Sequence, residues 1–168
     1  RRFADITLPS RTGHLQKGHG VACGDWDRDG NVDLFVQLGG ATPGDCFHNA
    51  MFQNPGGHDH HWLNLKLIGK TTNRAAIGAR IKVVLAQPQR RTIYRHINSG
   101  SSFGANPLEQ MIGLGKSERI EELEISWPTS GTKQIFRDVE VDQSLEVTEA
   151  EPVFRRREYR RIHVATMN

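Results

Sequence analysis

An all-β fold is predicted by three features of the sequence: short segments alternating between apolar and polar residues, frequent turn residues, and no helical periodicity. Seventeen glycines and seven prolines punctuate the 168 residues. The alternation suits sheets with one wet face. The expected architecture is therefore an antiparallel β-sandwich or barrel-like domain, preceded by a separate hairpin unit.

The expected strands are Gly20–Gly24, Asp33–Leu38, Phe47–Gln53, His61–Ile68, Ile77–Ala86, Arg91–Asn98, Gln110–Leu114, Ile120–Trp127, Lys133–Phe136 and Ser144–Thr148. In Ile120 to Trp127 the apolar face is Leu123, Ile125 and Trp127, with glutamates opposite. In Trp62 to Leu67 it is Leu63, Leu65 and Leu67. Trp127-Pro128-Thr129-Ser130-Gly131 reads as a tight turn between strands. Gly56-Gly57 is the natural joint between units. The expected divisions are 1–57 for the hairpin unit, 58–150 for the β-domain and 151–168 for a basic tail.

Composition bounds the function. With 36% hydrophobic and 24% charged residues the chain has an ordinary globular make-up. No apolar run approaches the roughly 20 residues needed to span a bilayer as a helix. The chain opens at Arg1-Arg2 without an initiator Met or a signal-peptide pattern, so a trimmed fragment is expected. Cys23 and Cys46 do not make a disulfide framework. Cys23 reads as a buried thiol on a strand, and a Cys23–Cys46 bridge stays open for an oxidising compartment. The formal charge is +3. Five tail arginines against Glu158 give 152–168 a net +4, so the remainder carries −1. Such a tail can dock on a polyanion, but no aromatic platform or nucleic-acid motif accompanies it. A solvated or disordered end is expected, and no nucleic-acid partner.

Asp25 to Asp33 carries the most specific signal. Asp25, Asp27, Asp29 and Asp33 frame a loop with Gly30 at its sharp turn. Calcium takes six to eight oxygen ligands, and this spacing presents alternate carboxylates inward. Asn31 stands where a backbone carbonyl serves as a ligand. Without a cation, each close carboxylate pair costs on the order of 1 kcal/mol in water. An EF-hand is excluded, because the twelfth position is Val36 and both flanks are β-like. The expected ligands of one structural Ca2+ are Asp25, Asp27, Asp29, the Asn31 carbonyl and Asp33.

Gly18 to Leu34, with that loop, resembles the FG-GAP (VCBS-type) repeat, a β-propeller blade unit with a calcium hairpin. The segments His61-Trp62-Leu63, Asn73 to Ala79, Ser99 to Phe103, Gly113-Leu114-Gly115 and Ile125 to Pro128 are similar to the ASPIC/UnbV domain. That domain follows such repeats in cartilage acidic protein 1 and many bacterial secreted proteins. The resemblance implies a secreted or otherwise extracytoplasmic calcium-binding module of adhesion or interaction type. Its partner would be an extracellular protein or glycan, and no catalysis or catalytic residue is implied.

Two alternatives remain. His58-Asp59-His60-His61 is a histidine cluster in which His58 and His60, with a third ligand such as His48, would ligate the metal of a hydrolase. In the resembling family the His61-Trp62 pair begins a strand, which makes His61 structural. The second alternative is polyanion docking through the tail. Gly-x-Ser-x-Gly, Walker and dinucleotide-binding patterns are missing.

Overall fold

The computed structural model describes residues 3–40, 42–57, 59–87, 90–100 and 103–163. His58, Ser101, Ser102 and the last five residues, all named in the sequence reading, lie outside them. Among the described residues there are eleven strands and no helix: β1 (Gly18–Gly24), β2 (Asp33–Leu38), β3 (Ala50–Phe52), β4 (His61–Ile68), β5 (Arg80–Leu85), β6 (Thr92–His96), β7 (Gln110–Gly115), β8 (Arg119–Ser126), β9 (Lys133–Glu140), β10 (Gln143–Thr148) and β11 (Arg155–Arg157). None of these is a helix long and apolar enough to cross a membrane.

Three sheets form, with orders β1-β2-β3, β11-β10-β4-β7 and β6-β5-β8-β9. None closes on itself, so the core is a sandwich of two four-stranded sheets and not a barrel. Most pairings are antiparallel, as the alternation predicts, but β10 runs parallel to β4 from Gln143↔Leu63 to Thr148↔Ile68. After the β8–β9 hairpin the chain crosses to the other sheet and lies beside β4, which fixes that direction.

Inward residues of both sheets make one apolar core. Leu63 and Leu65 from β4, Ile81, Val83 and Leu85 from β5, Leu123 and Ile125 from β8, and Leu145 and Val147 from β10 are fully buried or nearly so. Trp127 follows at 1% exposure. Burying one such side chain contributes roughly 1.5–3 kcal/mol.

Departures from the expected bounds have local causes. On β9 both Phe136 and Val139 point inward although they are three apart. Asp138 between them has φ 54°, and the pairing skips from Ile120↔Val139 to Glu122↔Arg137. The register is the same on both sides, so this left-handed residue is a local kink that breaks the alternation just beyond Phe136, where the sequence reading stopped the strand. Residues 73–79 form consecutive tight turns before β5, closed by the Ala76 N–H to the Asn73 carbonyl and the Ala79 N–H to the Ala76 carbonyl.

The tail is mostly exposed, as expected of a solvated end, but it is tied to the sheet. Arg155–Arg157 pairs antiparallel with β10 as an edge strand. Phe154 packs edge-on against Phe136, ring centroids 5.3 Å apart. The strand was missed because three consecutive arginines show no apolar alternation; it pairs through its backbone.

Candidate metal centre

The hairpin unit has no apolar core of its own. Within residues 3–57, the buried side chains among the described residues are Asp27 and Asp33, each 2% exposed. The fully buried hydrophobics begin at Leu63. β1 and β2 pair from Gly24↔Asp33 outward, and the acidic loop joins them. Gly30 has φ +92°, and a side chain there would strike the Trp62 indole at the start of β4. Glycine therefore serves twice: it takes the left-handed turn and lets the loop press on the sandwich.

Asp25, Asp27 and Asp29 come together, one ligand oxygen from each within 4.8 Å of the others. Asp25 accepts from the N–H groups of Asp29 and Gly30, both at 2.9 Å. Asp29 Oδ1 accepts from the Asn31 N–H and from Asn31 Nδ2. Asp27 Oδ2 accepts from Gln53 Nε2 at 2.6 Å. Asp27 Oδ1 is buried and has no hydrogen-bond partner. A buried charged oxygen without a donor is costly unless an ion meets it.

Asp33 stands outside this group of three. It accepts from the Trp26 N–H through Oδ2 and from the Asn54 N–H through Oδ1, so it ties the loop to the segment after β3. Asn31 is engaged through its donors. Burial pushes the Asp25 carboxyl above its ordinary value, and the charges of Asp29 and Asp27 add to that rise; the Gly30 and Asp29 N–H groups oppose it. Asp33 is likewise raised, first by burial, against its two backbone donors.

Elements remote in sequence complete the surroundings. The Ile162 N–H donates to the Asp27 carbonyl at 2.7 Å, and Arg161 Nη2 to Asp29 Oδ2 at 3.0 Å. Arg157 pairs with Glu109, and the guanidinium groups of Arg28 and Arg157 lie 4.8 and 4.7 Å from the Tyr159 ring centroid. The Cys23 N–H donates to Asn106 Oδ1 at 2.8 Å. A cleft of about 1210 Å³ opens beside the loop, between hairpin and sandwich, with Trp26, Arg28, Trp62 and Tyr159 in its lining. Both cysteines are free thiols, Cys23 half-buried and Cys46 exposed.

The histidine cluster divides. His61 begins β4, its Nδ1 2.6 Å from Asp142 Oδ2, while Asp142 Oδ1 accepts the Trp62 N–H. His61 is thereby part of the strand's anchoring. His58 lies outside the described residues, and the acidic group is the one potential metal cluster of three or more among them.

A second buried carboxylate was not singled out by sequence. Glu149, 1% exposed, follows β10. Its Oε2 accepts from the N–H groups of Lys70, Thr71 and Thr72 at 2.7–2.8 Å. Its Oε1 accepts from the hydroxyls of Thr72 and Ser130. Burial alone would raise this carboxyl, yet the Ser130 hydroxyl and the donors of the 70–72 turn hold it down at about 2. It locks that turn to the end of β10.

The family model described as ASPIC and UnbV matches residues 69–153. The chain belongs to this family. The ASPIC/UnbV match begins one residue after β4 and takes in β5 through β10, together with Glu149 and the turn it binds. The acidic loop precedes it. No curated protein matches the chain.

Proposed function

We propose that this ASPIC/UnbV protein is a noncatalytic, extracytoplasmic interaction module whose hairpin unit is organised by one bound Ca2+. The observation that carries the cation is Asp27: a buried carboxylate with an unpartnered oxygen, grouped with Asp25 and Asp29 where a core would otherwise be. The donor set fits. All three side chains offer hard oxygen ligands, which suits calcium over softer metals. The Asn31 carbonyl completes the expected set, with Asp33 bracing the loop or joining as a further ligand. The ion would supply charge neutralisation and loop order. The hairpin, so pinned, resembles the calcium hairpin of an FG-GAP/VCBS unit, and the arrangement is like that of cartilage acidic protein 1.

The cleft between hairpin and sandwich is the surface offered to a partner protein or glycan. Its aromatic and charged lining suits either. Because the loop forms one wall, the cation would hold the binding surface in shape. Polyanion docking through the tail is less favoured: Arg156, Arg157 and Arg161 are each paired with a carboxylate of the same chain.

Thermal unfolding in 1 mM Ca2+ and in chelator tests the reading. For an affinity of about 10 μM, the ion contributes about 2.7 kcal/mol. At roughly 2–4 °C per kcal/mol for a domain of this size, the melting temperature should rise by about 5–10 °C. Identical melting curves would overturn the calcium assignment.

A further inference from the structure

We propose that Arg161 is a tethered counter-ion that sets the affinity of the acidic loop for its cation, so that ion binding and docking of the tail oppose each other. The inference rests on the calcium reading above and adds the residue that tunes it.

The observations are these. The Asp29 side chain is only 5% exposed, and Arg161 reaches it from solvent, with 56% of its own side chain accessible. The two are 132 positions apart, so the contact exists only because β11 brings the tail back across the sheet edge. The next residue fastens its backbone to the same loop, with the Ile162 N–H on the Asp27 carbonyl. Two of the three clustered aspartates thus have the tail on them. Asp25 takes donors from the loop itself.

Charge decides the sign. Three carboxylates make a −3 cluster. Arg161 supplies +1 to it when no ion is present, and a divalent cation leaves only −1 for the guanidinium to meet. The ion therefore weakens the attraction that holds Arg161. By the reciprocity of linked equilibria, Arg161 weakens the ion's binding by the same factor. Both charges act within a few ångströms of Asp29, where screening by salt is incomplete. The exposure of Arg161 keeps the coupling small.

The consequence is a tail that answers to calcium. At low calcium the segment after β11 is held on the loop by Arg161 and Ile162. At high calcium that hold is loosened while β11, paired to β10, stays.

Calorimetric Ca2+ titration of the full chain at 150 mM salt tests this, with Arg161→Gln, Arg161→Lys and, as a control, Arg156→Gln, whose partner is Glu140. Arg161→Gln should bind Ca2+ about threefold to tenfold more tightly than wild type. Arg161→Lys and Arg156→Gln should stay within about twofold. In wild type, amide hydrogen exchange at Ile162 should be faster in Ca2+ than in chelator. Equal affinities of wild type and Arg161→Gln, or slower exchange at Ile162 with Ca2+, would overturn the coupling and leave the calcium site standing. No heat of binding in any variant would instead remove the site itself.

Discussion

Glu149 and Asp27 are both carboxylates with almost no exposure, 1% and 2%, yet the fold treats them oppositely. Glu149 is met by three backbone N–H groups and two hydroxyls, enough donors to hold it at about 2 in spite of burial. Asp27 has one side-chain donor, one unpartnered oxygen and two like charges beside it. Its neighbours Asp25 and Asp33 are raised, not lowered. The sandwich satisfies its buried acid from within. The hairpin leaves a negative cluster that Arg161 offsets only in part, and the cation proposed above would complete it.

The largest expected effect falls on the self-sufficient site. Glu149→Gln should lower stability by about 3 kcal/mol in urea unfolding at pH 7, because an amide cannot accept five donors and its NH2 faces them. The loss should be the same in Ca2+ and in chelator. A loss that depended on calcium would mean the two sites are not separate.

The two sites should also respond to pH with opposite signs. Glu149 has a folded value of about 2 against an ordinary 4.5, so the unfolded chain binds the extra proton between them. Its contribution is complete above 4.5 and is lost as pH falls toward 2, and the wild-type advantage over Glu149→Gln should shrink across that window. For Asp25 and Asp33 the folded values are raised, so in chelator the folded chain binds the extra proton. Their burial, with the neighbouring carboxylates adding to it, costs stability at neutral pH, and the cost is relieved on acidification. Unfolding in chelator from pH 7 down to about 4.5 should show flat or rising stability. A steady fall over that range would contradict the electrostatic picture of the loop.

A smaller effect sharpens the boundary between the two regions. Asp142→Asn removes the charged partner of His61 and weakens the acceptor for the Trp62 N–H, at the point where β4 meets the hairpin. Both side chains of the His61–Asp142 pair are partly exposed, so the cost should be about 1 kcal/mol, read from the shift in urea midpoint.

The same contrast explains what could be read from sequence. The sandwich strands that alternate were legible because their inward residues had to be apolar, as with Leu63, Leu65 and Leu67 of β4 and Leu123 and Ile125 of β8. The acidic triad was legible because its carboxylates sit two residues apart in one loop. β11 was hidden because an edge strand of three arginines shows no apolar alternation and joins the sheet through its backbone. The Glu149 lock was hidden because its backbone donors lie 77–79 residues away, and Arg161 because its partner is 132 away. Neither leaves a local pattern. The end of β9 was lost where the left-handed Asp138 breaks the alternation.

The central claim is that the hairpin's buried acids cost stability alone and stabilise it when a cation is bound. Asp27→Asn tests this most directly, since it keeps the shape and an oxygen for Gln53 while removing one charge. Urea unfolding at pH 7 of wild type and variant, each in 1 mM Ca2+ and in chelator, should show a crossover. In chelator the variant should match or exceed wild type; in Ca2+ wild type should lead, by up to about 2.7 kcal/mol. The same order in both conditions, with the variant gaining as much from Ca2+ as wild type, would contradict it.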